Sequence, residues 1–447
     1  MKSRLISLSL ISMALLAPST RHAARAENWS GWRGPRGDGT SRETKVPVRW
    51  NGETGEGVAW KVAVPGEGHA SPIVWGDRLF LVSCLKESQE RILLCLSARS
   101  GRKLWQRTVL RCPLETKHKL NSFASSTPAT DGGLVFVAFL EVDGRTIPAP
   151  NVSNSRPVTP GRMLVAAYDF EGREKWKVKP GNFISAHGFC SNPVLHEDLV
   201  IVNGDHDGDG YLVALDRRDG TVRWKVEREN KTRSYATPII RQFGGRTQMI
   251  LSGSHSVASY DPRSGRRHWL IDGPTEQFVA SMVSDSRLVF LTAGFPERHI
   301  LAIRPDGHGD VTDSHVVWRT KRGAAYVPSP IVEGSYFLVV SDGGVASCFD
   351  TTSGERLWME RIGSRYSAST VSAGELVYFT SDEGVATVVR PGRTLDIVAR
   401  NKLGDRLISS PAISGGRIYF RGAKHLHCVG ATSAVGDGGR PEASGRP

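Results

Sequence analysis

At 447 residues, with 39% hydrophobic and 23% charged residues, the chain has the composition of a folded protein, with room for a large core or up to three domains. Its formal net charge of +13 would suit an anionic partner such as nucleic acid, lipid headgroups or an acidic polysaccharide. The lysines and arginines are scattered with no sustained basic run, which argues for an ordinary basic surface and against nucleic-acid binding.

Residues 1–26 predict a cleavable secretory signal. Lys2 and Arg4 precede the apolar run Leu5 to Ala17, which is too short to span a bilayer, and Ala24-Arg-Ala26 offers a small-x-small cleavage site before Glu27. The competing reading is an uncleaved anchor. The first cysteine is Cys84, so no lipid attachment to a new amino-terminal cysteine is expected; the location implied is periplasmic or secreted, and no later segment is long and apolar enough for a membrane span. Residues 27–56 contain Trp29-Ser-Gly-Trp32-Arg-Gly-Pro35-Arg-Gly-Asp-Gly39, loop chemistry with two aromatic anchors. They predict an extended arm packed on the outside of the main body.

Repeats fill residues 57–430. The clearest copy runs from Tyr211 to Val226: apolar Leu212 to Leu215, a turn ending at Gly220, then Val222, Trp224 and Val226 alternating with polar residues. This reads as strand, tight turn, strand. Asp216, Gly220 and Trp224 recur as Asp261, Gly265, Trp269 and as Asp350, Gly354, Trp358, with weaker copies at Ser97, Gly101, Trp105 and Asp169, Gly172, Trp176. Eight unit starts, mostly Ser/Thr-Pro, begin at Ser71, Thr127, Asn192, Thr237, Ser281, Ser329, Ser369 and Ser410. The unit-ending tryptophans are Trp60, Trp105, Trp176, Trp224, Trp269, Trp318 and Trp358; an eighth end, near Ala399-Arg400, has none. Most Trp-to-Trp spacings lie between 40 and 49 residues; the interval from Trp105 to Trp176 is 71 and carries an insertion from about Glu141 to Gly161. A period in the forties built from short strands, without 3.6-residue stripes, predicts a β-propeller rather than a helical array. The last unit stops without a Trp strand, while an orphan Trp strand, Val58 to Val62, precedes the first. The expected fold is therefore all-β: an eight-bladed propeller of four-stranded antiparallel blades, closed by an N-terminal strand completing the last blade, so that no sheet edge stays open at the seam. Residues 431–447 are Gly, Ser, Pro and charge, and are expected to be a disordered tail.

The six cysteines, Cys84, Cys95, Cys112, Cys190, Cys348 and Cys428, form no Cys-x-x-Cys motif. Cys84 and Cys95 flank a predicted hairpin and are the pair to test for a disulfide; most of the others read as small buried hydrophobes.

The Ala-Leu-Asp-x-x-x-Gly-x-x-x-Trp unit resembles the repeat of pyrroloquinoline quinone (PQQ) enzymes and is equally similar to that of BamB, the propeller subunit of the outer-membrane β-barrel assembly machinery. The resemblance covers about residues 57–430 and implies eight blades, with the repeat tryptophans packed between neighbours as structural residues. The segment Trp32 to Gly39 looks like a signature of exported PQQ-repeat proteins. The dehydrogenases of the family carry two adjacent cysteines against the quinone; this chain has no Cys-Cys, and their Glu-Asn-Asp calcium set and catalytic Asp find no matching motif here.

Two candidate sites stand out. Asp205-His-Asp207-Gly-Asp209-Gly210, with Asp216 twelve residues in, matches most of a Ca²⁺ loop. Against it, position twelve is not Glu, Asp216 belongs to the repeat, and Asp/Gly hairpins often hold no metal. The second candidate is the mouth of the central channel, where connections entering each innermost strand carry Glu67, His69, Asn121, His187, Arg233, Tyr235, Gln277, Tyr326, Arg365, Tyr366 and Arg406. Aromatics, amides and arginines together would suit a flat or anionic ligand; a plain wet channel is the alternative. His425 and His427 alternate on the last strand, which is ordinary strand geometry. No catalytic signature is present. The reading favoured is a monomeric, non-catalytic binding or scaffold protein of the cell envelope, without cofactor, holding a partner protein, an anionic small ligand or a glycan. The alternative is a quinoprotein oxidoreductase using PQQ and Ca²⁺ on alcohols or sugars.

Overall fold

The computed structural model describes residues 26–152, 156–230 and 232–431. The predicted signal, apart from Ala26, and the tail beyond residue 431 lie outside the described residues. No helix occurs among the described residues, and the strands form eight four-stranded antiparallel sheets arranged as propeller blades. In chain order, blades 1 to 7 span residues 73–111, 129–183, 194–227, 239–272, 283–320, 331–361 and 371–402. Blade 8 combines residues 412–430 with the strand Val58–Ala63, which pairs antiparallel with His425–Gly430. The predicted closure of the ring is therefore the one found.

The unit starts form a belt around the axis. The Ser71 N–H donates to Thr127 Oγ1 (3.0 Å), Thr127 N–H to Asn192 Oδ1 (2.6 Å), and the Asn192 amide to Thr237 Oγ1 (2.7 Å). The Thr237, Ser281, Ser329 and Ser369 N–H groups then donate to the hydroxyls of Ser281, Ser329, Ser369 and Ser410, each at 2.9–3.0 Å. A Ser, Thr or Asn at the first position thus satisfies a buried N–H of the preceding blade. The joint between blades 8 and 1 is made differently. There the buried Arg421 guanidinium donates to the Val82 carbonyl and to Ser83 Oγ (2.6 Å), while Ser71 Oγ has no partner.

The repeat letters have a joint explanation. Asp261 Oδ1 accepts the turn N–H groups of Arg263 and Ser264 (2.8 and 3.0 Å), and Gly265 in that turn lies against Trp224 of the preceding blade. The Trp224 indole N–H donates to Pro262 O (3.1 Å), tying outer strand to neighbouring turn. Trp60, Trp105, Trp176, Trp318 and Trp358 make the same bond to Ala98, Phe170, Arg217, Thr351 and Gly392. Trp269 instead donates to Gln248 within its own blade (2.9 Å), because blade 5 has a longer loop in place of the usual turn. Gly354 has φ +73°, and a Cβ there would stand 2.6 Å from Trp318; Gly334 also has positive φ but faces open space. Gly354→Ala is expected to cost more than about 1 kcal/mol, and more than Gly334→Ala, in paired urea unfolding measurements.

The arm is not on the outside. Trp29 exchanges backbone hydrogen bonds with Val74 (2.9 and 2.8 Å), and Thr40–Ser41 pairs in parallel with Val371–Ala373. Both partners are innermost strands, so the arm runs inside the channel. The Trp32 indole reaches Ser281 Oγ (3.2 Å), the buried Arg33 donates to Pro330 O (2.6 Å), and Asp38 pairs with Arg241 (3.1 Å). The arm leaves along the face opposite the unit starts, where Glu43 accepts the Gly415 and Gly416 N–H groups. It then passes between blades 7 and 8. Trp50, 3% exposed, stacks on Tyr378 (ring centroids 6.4 Å apart) and packs on Phe420 (5.6 Å). In blade 7 the residue opposite Val388 is Ala399, where blade 6 has Trp358 opposite Cys348. Trp50 supplies the indole that blade 7 lacks. The sequence expectation failed because the arm's anchors are long-range strand pairings that leave no periodic signal.

Cys84 lies opposite Arg91 and Cys95 opposite Phe80, rungs apart, and all six cysteines are free. The hairpin register therefore rules out the Cys84–Cys95 pair.

Candidate functional site at the channel mouth

With one end of the channel filled by the arm, the other end is the open face. It is built from the connections entering the inner strands and from the hairpins between the second and third strands of each blade. Hairpin carboxylates fix those connections. Asp342 accepts the Tyr326 and Val327 N–H groups (2.8 and 3.0 Å), and Asp207, fully buried, accepts the Ala186 N–H (2.8 Å).

This arrangement disperses the four aspartates expected to hold Ca²⁺. Asp205 pairs with the buried Arg228 (2.9 Å), and Asp207 with Arg233 (2.6 Å). Asp209 is exposed. Asp216, at the far end of Tyr211–Asp216, caps its own turn through the Arg218 N–H (2.8 Å) and pairs with Arg223 (2.8 Å). Among the described residues these carboxylates form no convergent ligand set.

The predicted mouth residues fall into two groups. Around blades 2 to 5, the His187 ring stacks on Tyr235 (6.1 Å) and meets His118 edge-on (5.4 Å). Arg233 Nε lies 3.4 Å from His187 Nδ1, Asn121 donates to His187 O (2.8 Å), and Tyr326 donates to Gln277 (3.2 Å). The insertion folds over this group: Asn151 donates to Asp207 O (2.7 Å) and Arg156 to Ala186 O (3.0 Å). Burial, then the charges of Arg233 and Arg156, hold the His187 pKa down at about 3.

The second group lies around blades 7, 8 and 1. Arg365 and Arg406 are exposed, on connections that both bond to Asp382 backbone atoms. His69 is pushed down to about 4, chiefly by burial and then by Arg421, Arg406 and Lys117. Both imidazoles are therefore uncharged at neutral pH. Arg421 has no carboxylate partner among the described residues, and burial lowers its pKa to about 9. Lys117 is hydrogen-bonded only to the Asn121 carbonyl (2.7 Å) and lies over the Phe123 ring (4.9 Å).

Two predicted residues stand apart. Tyr366 is 1% exposed and packed in the core beneath Gly363, and Glu67 is paired with Lys86 (2.9 Å) beside the blade 1 hairpin. Lys117, His118 and Arg421 were missed. The first two sit in a long connection ahead of the position considered, and Arg421 lies within an apolar strand, where a cation reads as solvent-facing.

The family described as outer membrane protein assembly factor BamB matches residues 40–147, 90–293, 275–394 and 307–426. No curated protein sequence is significantly similar to the chain. Among solved structures, BamB from Moraxella catarrhalis is similar with a TM-score of 0.58 at 12% identity, covering 84% of this chain and 97% of that one. The quinohemoprotein alcohol dehydrogenase from Comamonas testosteroni has a TM-score of 0.60 at 13% identity, with 91% and 81% covered. The quinohemoprotein alcohol dehydrogenase ADHIIG from Pseudomonas putida HK5 has 0.57 at 11%, with 94% and 82% covered. At these identities the likeness is one of fold.

Proposed function

This chain belongs to the PQQ-repeat β-propeller family of BamB type, and from that premise we propose that it is a non-catalytic binding protein of the cell envelope whose channel mouth receives an anionic group of a partner protein. The observation that carries this reading is the set of mouth cations left without a direct ion pair. Arg365, Arg406 and Lys117 stand in no ion pair among the described residues, whereas the buried Arg91, Arg228 and Arg233 are each paired with a carboxylate. An arginine fork and a rim of uncharged imidazoles offer donors and acceptors to a carboxylate, with Asp382 and Glu383 acting on Arg406 and Arg365 through space without a direct ion pair. The arm occupies the other end of the channel, which leaves the mouth as the face for a ligand.

The residues present do not fit a quinone of the dehydrogenase type. No adjacent cysteine pair exists, and Asp205 and Asp207, two of the carboxylates expected to hold Ca²⁺, are held by arginines.

The test is fluorescence anisotropy with a labelled Glu-rich peptide. Arg365→Ala combined with Arg406→Ala, both at exposed positions, is expected to weaken binding tenfold or more, about 1.4 kcal/mol, with affinity falling as salt rises. An unchanged dissociation constant would move the site elsewhere. A thermal-shift series with Ca²⁺, with PQQ and with both separates the oxidoreductase reading: a shift that needs both ligands together would replace the present proposal.

A further inference from the structure

We propose that Asp405, His425 and His427 form a tetrahedral binding site for a divalent transition metal, zinc above all, on the mouth face beside the joint of blades 7 and 8. Asp405 lies in the connection from blade 7 to blade 8, and the two histidines lie two residues apart on one face of His425–Gly430. The segments are pinned to each other: Leu407 bridges Gly422, and the Ala423 N–H donates to Arg406 O (2.9 Å). Gly422 leaves room for the carboxylate, since a Cβ there would stand 2.3 Å from Asp405 Oδ2. That oxygen also accepts the His425 backbone N–H (3.0 Å), which fixes its position.

The spacing is the argument. His425 Nδ1 and His427 Nε2 lie 3.3 and 3.4 Å from the same Asp405 oxygen, and one ligand atom from each residue falls within 4.8 Å of the others. Those separations are longer than the roughly 2.9–3.0 Å usual for N–H···O bonds. Two ligands about 2.0–2.1 Å from one ion at a tetrahedral angle stand about 3.3–3.4 Å apart. His427 is fully buried, and its other ring nitrogen, Nδ1, has no partner. A wholly buried imidazole is thus held against a carboxylate by one long contact, His427 Nε2 to Asp405 Oδ2 at 3.4 Å. The His425 side chain is 33% exposed, which gives an ion a way in and leaves a fourth position for water or a ligand atom. Imidazole and carboxylate in tetrahedral geometry suit Zn²⁺ rather than Ca²⁺ or Mg²⁺. Such an ion would lock the blade 7 to blade 8 connection, and with it Arg406, onto the last hairpin.

The test uses full-length protein without a histidine tag, stripped with chelator and titrated with Zn²⁺ by calorimetry. One ion per chain is expected, with affinity reduced tenfold or more in His425→Ala and in Asp405→Asn. Co²⁺ loading provides a readout independent of variant folding: the intense visible bands of tetrahedral cobalt are expected. Absence of stoichiometric Zn²⁺ uptake, undiminished affinity in both variants relative to the unsubstituted protein, or a weak octahedral cobalt spectrum would overturn the proposal.

Discussion

Replacing Trp50 by alanine is expected to lower the unfolding free energy by about 3–5 kcal/mol, the range for truncating a buried large aromatic. Trp50 lies outside the repeats, yet it fills the wedge between blades 7 and 8 where Ala399 leaves no indole. Its removal would leave Tyr378 and Phe420 facing a cavity and would loosen the strap that carries the chain from the channel to Val58. The loss should appear as a lower urea midpoint. Ala399→Trp in the Trp50→Ala background offers a sharper check: partial recovery would show that the two positions share one volume. A loss below about 1 kcal/mol would show that the wedge closes without the indole.

The second large effect is expected at Asp205. Asp205→Ala leaves Arg228, its side chain 3% exposed, without a counter-charge, and breaking a buried pair from one side costs about 3–5 kcal/mol. Adding Arg228→Met should recover much of that, because the uncompensated cation is then gone. This pattern separates the ion pair from the calcium reading. If Asp205 held Ca²⁺, the double variant would be no better than the single, and wild-type stability would fall with chelator. Urea unfolding with and without EDTA measures both.

The propeller could be read from the sequence because its determinants repeat. Asp caps the turn, Gly turns it with positive φ, and Trp of one blade covers Gly of the next, so these letters return in most blades, with Ser97 in place of Asp in blade 1, a longer loop in blade 5 and no Trp in blade 7. Ring closure was equally legible, since a missing strand at one end matched an orphan strand at the other. The arm's route was not, because Val74 and Val371–Ala373 are ordinary strand residues until something pairs with them. The Asp205 to Gly210 stretch misled for a chemical reason. Carboxylates that clamp backbone N–H groups are spelled like carboxylates that bind calcium, and Arg228 and Arg233, which decide between the two, lie more than twenty residues away. Tyr366 misled because Gly363 makes space for its ring in the core, which a pattern of polar loops does not reveal. The His425 and His427 alternation was seen but looked ordinary until Asp405 was brought beside it.

The pairing of Val58–Ala63 with His425–Gly430 also sets a clock. The strand Val58–Ala63 is synthesised about 360 residues before its partner His425–Gly430. At about 5–20 residues per second the wait is roughly 20–70 s. Throughout it an apolar strand and the two tryptophans that flank it, Trp29 and Trp50, have no native place to go, because the channel and the last wedge do not yet exist. Seven blades can stack as they emerge, but the ring cannot shut until His425–Gly430 arrives. A nascent chain truncated before residue 425 should therefore be held by chaperones or degraded, however well its earlier blades have folded.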